Sequence, residues 1–174
     1  VLVVGLGNRE ITPDALGPRV ADNMMITRHV IREFGKYALG AEHSNLISSI
    51  VPGVMAQTGM ESLEIIRGVI RETEPDCIVA VDALAARSVK RLNRTIQITN
   101  TGINPGSGVG NHRHGLNRES VGIPVIAIGV PTVVDAATIV NDAISGYYEE
   151  VDCTLNSFFV TPKDIDESIK RLSF

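Results

Sequence analysis

Two aspartates in this chain stand where an apolar run gives way to a turn, and carboxylates so placed can do acid–base chemistry. Asp14 is the only ionisable group in Thr12–Gly17, just beyond the point where Val1–Val4 breaks into Gly5-Leu6-Gly7-Asn8. Asp82 follows the apolar run Cys77–Val81 in the same way. Open α/β sheets bind their ligands beyond the carboxyl ends of the strands, so both side chains are expected above a sheet. If their strands are neighbours, the two carboxyls could share one proton, because like charges a few ångströms apart do not both ionise easily. One would then act as base towards water and the other as acid. The plainer alternative is that Asp14 caps the following helix and Asp82 makes a turn bond, since Asp is a preferred cap. On spacing alone both readings stand.

The other chemistry-bearing residue types offer less. Gly5-Leu6-Gly7 after a strand suggests a dinucleotide turn, but position 10 is Glu rather than the third glycine. Gly106-Ser107-Gly108-Val109-Gly110 lacks the Lys-Ser/Thr of a phosphate loop. There is no G-x-S-x-G elbow, and Cys77, within an apolar strand, suits a small core residue better than a thiolate. His29, His43, His112 and His114 show no zinc spacing, so neither a metal nor a cofactor is expected. The backbone amides of Gly5, Gly7 and Asn8, or of Gly108 and Gly110, are the candidates to receive a developing oxyanion or a substrate backbone.

The elements that must position these residues alternate. After the opening strand, one helix is expected from about Ala15 to Phe34, with Pro18 in its first turn and Gly35 closing it. Lys36–Ser49 reads as loop or a short irregular strand, and Ile50–Met55 as a strand end or apolar loop. A second helix is expected over Glu61–Glu72, with Thr58 as N-cap, Glu61 as its capping-box partner and Pro75 beyond its end. Cys77–Val81 reads as a strand buried on both faces, and Thr95–Thr99 as an edge strand. Residues 100–122 are glycine-rich and polar, a functional or mobile flap rather than a passive connection. Pro124–Ile128 is expected as a strand, Val133–Ile144 as a helix, and Val160–Asp166 as a helix start. Strand and helix in alternation predict an α/β domain, a mainly parallel sheet with helices on both faces.

Bulk properties bound the partners. The 174 residues suit one domain, and with 44% hydrophobic residues, 21% charged and a net charge of −4 nothing invites nucleic acid. No apolar run approaches the roughly 20 residues of a membrane span. Aromatic content of 4% with no Trp is thin for a base-stacking module. Two cysteines fit a reducing compartment, hence the cytoplasm. The chain opens inside a strand without an initiator Met, so the N-terminal part of the natural protein is expected to be missing.

Taken in order, GLGNREITPDALGPRV with the following TRH, then PGVMAQTG, PDCIVAVDALAARSVKRLN, TIQITNTGINPGSGVGN, GIPVIAIGVPTVVDAATIV and late TPKDID closely resemble the germination proteases of endospore-forming bacteria. The resemblance runs from Val1 to about Ala143 and implies an endopeptidase that begins the degradation of small acid-soluble spore proteins during germination. It further implies an atypical aspartic protease, made as a self-processing zymogen, assembled as a homotetramer in the spore core. Its two essential aspartates fall in TPDALGP and VDALAAR, which are Asp14 and Asp82 here. The fold is similar to that of hydrogenase maturation endopeptidases (a phosphorylase/hydrolase-like α/β fold), which hold a metal with two carboxylates and a histidine. Asp14 and Asp82 match the carboxylates, but no histidine matches securely, His112 being the nearest in position. The chain departs from the family between Tyr147 and Phe159, which is short and altered. GLGN with Thr27-Arg28-His29 is also similar to peptidyl-tRNA hydrolase, with His29 as base; that family expects Pro-Gly after GLGN, where this chain has Arg9-Glu10. A catalytically silent assembly or binding protein on the same scaffold is the reading from outside the enzymes.

Overall fold

The computed structural model describes residues 1–40, 44–104 and 114–152. The expected helix start at Val160–Asp166 lies outside the described residues, as do His43, His112, Gly108, Gly110 and Cys153.

Among the described residues five strands make one sheet: β1 Leu2–Gly5, β2 Ser48–Ile50, β3 Ile78–Ala86, β4 Gln97–Thr99 and β5 Val125–Val134. Their order is β2-β1-β3-β5-β4, with every pairing parallel except that of β4 with β5. The α/β architecture expected from the sequence is therefore present. Alternation along the strands puts Leu2, Val4, Ile78, Ala80 and Val125 on one face, where they pack with Leu116 and with Leu63 and Ile66 of helix α4, Ser62–Thr73. Each such fully buried Leu, Ile or Val stabilises the fold by about 1.5–3 kcal/mol. Val3 and Gly5 face the opposite way, onto helix α1, Leu16–Asn23. The approach there is backbone to backbone: a Cβ on Gly5 would meet the Gly17 carbonyl oxygen, and one on Gly17 the carbonyls of Leu6 and Val81. Helices thus cover both faces.

Several elements differ from expectation. The single helix over 15–34 is two, α1 and α2 (Arg28–Phe34), with Met24 extended between them. The break is imposed from a distance. Buried Thr27 donates its hydroxyl to Asn45 O at 2.5 Å and accepts from Ile47 N at 3.0 Å, while the amides of Thr27 and Arg28 both donate to Ile47 O. Gly35 closes α2, at φ +83°. Thr58 does not cap the second helix; it ends a separate turn, α3 (Met55–Thr58), and the cap is Glu61, whose amide donates to Glu64 Oε2 at 2.8 Å. Within the 100–122 stretch the described residues include the Ile103↔Leu116 bridge and helix α5, Arg118–Val121.

Two strands outrun their apolar cores. β3 continues past Val81 to Ala86 because β5 stays paired with it as far as Ala86↔Val134. β5 in turn runs on past the expected end at Ile128, through Gly129 and Pro131 to Val134, where the helix was expected to have begun. Pro131 lies beyond the last β4 pair at Gln97↔Gly129, so its missing N–H interrupts no ladder on that side. Helix α6, Ala136–Asp152, is preceded by Asp135, whose carboxylate accepts from Thr138 N at 2.8 Å and from its hydroxyl at 2.7 Å. Those bonds, the backbone one first, hold the Asp135 carboxyl below its ordinary pKa. Among the described residues no helix is long and apolar enough to cross a membrane.

Candidate active site

β1 leaves the sheet one residue after its pairing with β3 ends at Gly5↔Val81; Leu6 N still donates to Val81 O at 2.8 Å. Gly7 then turns the chain at φ +113°, a conformation that disfavours any side chain. It also passes so close to the next segment that a Cβ there would lie 2.1 Å from the Asp14 carbonyl oxygen. Asp14 ends a short 3-10 turn, Thr12–Asp14, with Pro13 in its first positions. Its side chain is half-buried and turns back: the Asn8 amide donates to Asp14 Oδ2 at 2.6 Å. It does not cap α1, whose N-cap is Ala15 with no side-chain bond. The 3-10 turn packs on both β3 and β5, and the Thr132 hydroxyl of β5 donates to Pro13 O at 2.6 Å.

Asp82 is not at a strand end but the fifth residue of β3, level with Gly129 of β5 and one step beyond the last β1 partner. It is 4% exposed, and its Oδ1 accepts from Ala83 N at 2.9 Å. Alternation from Ile78 and Ala80 places its carboxyl on the face shared by α4 and Leu116. The neighbour on β5 has no side chain to cover it; a Cβ on Gly129 would strike Leu84 Cδ1. β1 and β3 are adjacent, and the turn carrying Asp14 packs against the strand carrying Asp82.

Of the amides named as oxyanion candidates, that of Asn8 is engaged by Asp14, whereas the Gly7 N–H has no partner among the described residues. His29 is exposed on α2, and His114 pairs through Nδ1 with Glu61 Oε2 at 2.9 Å. Among the described residues no three His, Cys, Asp or Glu side chains gather as a metal would need. Sequence reasoning missed two members of the neighbourhood. Thr132 anchors the Asp14 turn, and Gln57 of α3 donates from Nε2 to Asn8 Oδ1 at 3.1 Å. Nothing in local spacing marks either, since their partners stand 119 and 49 residues away.

An open, mainly parallel sheet with helices on both faces defines an α/β protein, and the carboxyl end of β1 is where such a sheet would hold a ligand. The chain belongs to the germination protease family, whose model matches residues 1–173. It is 57% identical over 143 residues to the germination protease of Bacillus velezensis, an alignment covering 82% of this chain and 38% of that protein. The germination protease of Caldanaerobacter subterraneus is 54% identical over 151 residues, covering 87% and 46%. That of Clostridium perfringens is 43% identical over 202 residues, covering 99% and 62%. The chain thus spans less than half the length of the first two relatives. The match to the third runs longer than the 174 residues here, so stretches of that relative have no counterpart in this chain. A solved proteasome-assembly chaperone homologue from Mycobacterium tuberculosis is similar at a TM-score of 0.31 and 14% identity, over 77% of this chain and 61% of that one.

Proposed function

We propose that this chain carries the catalytic portion of an endopeptidase that initiates degradation of small acid-soluble spore proteins during spore germination. The observation that carries the reading is the buried carboxyl of Asp82 on β3 with the turn bearing Asp14 packed against that strand, in a chain of the germination protease family. One aspartate deprotonates a water held between them, and the other delivers a proton to the scissile carbonyl oxygen or the leaving nitrogen. On this reading the Gly7 amide, which has no partner among the described residues, stabilises the oxyanion of the tetrahedral intermediate. The whole protein is, on this reading, an atypical aspartic protease made as a self-processing zymogen and working as a homotetramer in the spore core.

The test is cleavage of a small acid-soluble spore protein by the full-length protein and its Asp14→Asn and Asp82→Asn variants, with and without chelator. Both variants should remain folded and lose nearly all turnover, and chelator should leave the wild type active. Inactivation by chelator would instead make the site a metal centre of the maturation-protease kind. Undiminished cleavage by Asp82→Asn would remove the aspartate pair altogether.

A further inference from the structure

The turn that holds Asp14 is itself held from outside, by a side chain with no role assigned so far. Asn8 is the joint. Its amide donates to Asp14 Oδ2 at 2.6 Å, while its side-chain Oδ1 accepts from Glu10 N at 3.0 Å and from Gln57 Nε2 at 3.1 Å. The bond to Glu10 is a local turn that fixes the Asn8 side chain on its own backbone. The bond from Gln57 reaches across from α3, which begins at Met55 just beyond the left-handed Gly53. A Cβ on Gly53 would stand 3.2 Å from Gln57 Oε1, so the other end of the amide is lodged against that glycine. Orienting the Asn8 peptide orients the one donor to Asp14 Oδ2 found among the described residues, and a carboxylate in general acid–base work must be held to within a fraction of an ångström.

Resting on the aspartate-pair reading above, we propose that Gln57 and Asn8 are positioning residues for Asp14. Gln57 fixes the Asn8 side chain, and the Asn8 amide fixes the carboxyl. Asn8 then has no amide to offer substrate, which leaves the oxyanion role in this loop to the Gly7 amide. α3, otherwise a four-residue turn at the surface, becomes the outer support of the catalytic loop.

The experiment compares Gln57→Leu, Asn8→Ala, Asn8→Asp and Asp14→Asn in the full-length protein, measuring kcat and KM on a small acid-soluble spore protein together with the thermal midpoint. Gln57→Leu removes one neutral, partly solvated hydrogen bond and should lower kcat about threefold to tenfold with KM unchanged and the midpoint within about 2 °C. Asn8→Ala, losing both side-chain bonds, should lower kcat further. Asn8→Asp keeps the acceptor oxygen and both bonds but sets a charge beside Asp14, so it should fold normally and move the acid limb of the pH–rate profile to higher pH. Unchanged kcat in both Gln57→Leu and Asn8→Ala, with Asp14→Asn inactive, would overturn the positioning role alone. A lowered midpoint with wild-type kcat would do the same, reducing the bonds to scaffolding. Full activity in Asp14→Asn would instead bring down the aspartate pair, and the positioning role with it.

Discussion

Gly7→Ala joins local geometry to catalysis most directly. Two costs arise at once. The residue sits at φ +113°, where a side chain strains the backbone by about 1–2 kcal/mol. The new Cβ would lie 2.1 Å from the Asp14 carbonyl oxygen and 3.1 Å from its Oδ1. Ordinary contact begins near 3.4 Å, so the Asp14 turn must retreat by about 1.3 Å. It is tied on its far side to Thr132 and packs on β3, so it has little room to retreat without moving its carboxyl. Misplacing a catalytic group by about 1 Å costs on the order of a hundredfold in rate. Strain and clash together should lower stability by about 2 kcal/mol, or about 4–8 °C in thermal midpoint for a chain of this size. The assay is initial cleavage rate measured well below the lowered midpoint, so that the folded fraction is the same for both proteins. Turnover within about threefold of wild type would refute the claim that Gly7 is a glycine in order to let Asp14 approach. Gly17→Ala is the control, because its Cβ would strike three backbone atoms between 2.3 and 2.5 Å away, in Leu6 and Val81. No side chain there can yield, and the loss should appear as failure to fold rather than as a slow enzyme.

Two further expectations concern the scaffold. Ile66→Ala, at a side chain 1% exposed between α4 and the sheet, should cost about 2–5 kcal/mol, read by denaturant unfolding; a cost below about 1 kcal/mol would mean the cavity had collapsed. Asp135 has its pKa lowered in the folded chain, so its capping contribution is complete above the ordinary aspartate value of 3.8 and fades as pH falls through the lower, folded value. Protection of the Thr138 amide, relative to its intrinsic exchange rate at each pH, should therefore fall on acidification, and Asp135→Ala should abolish that fall; equal protection in both proteins across that pH range would deny the cap any role.

What was legible in the sequence follows the range of the forces involved. The α4 helix, its end before Pro75, the opening strand and the edge strand β4 were all readable, since their periodicity and stop signals are local. The break between α1 and α2 was not, because Thr27 is stitched to Ile47, 20 residues on, and its own neighbours suit a helix. The extension of β3 and β5 was missed for the same reason. Asp82, Gly129 and Pro131 are poor strand residues in isolation and are carried by each other's pairing. At the candidate site, Asp14 was expected beyond a strand and stands there, whereas Asp82 was expected at a strand end and stands inside β3; that Asp14 does not cap α1 goes with the glycine turn closing on it. Gln57 and Thr132 gave no sign, because a hydrogen bond across 49 or 119 residues leaves no period to read.

The extension of β3 past β1 also divides the two aspartates by how they open. Asp82 is inside the longest pairing of the sheet, Ile78–Ala86 against Val125–Val134, so its amide is released only when that central ribbon parts. Asp14 rides on a three-residue turn held to the rest by a few bonds, among them those from Asn8 and Thr132. Hydrogen exchange should find the first among the slowest amides in the chain and the second among the fast ones. The pair is then half bedrock and half hinge. Any event that loosens the first loop, such as partial unfolding on heating or a contact from another segment, would dismantle the site long before the protein itself unfolds.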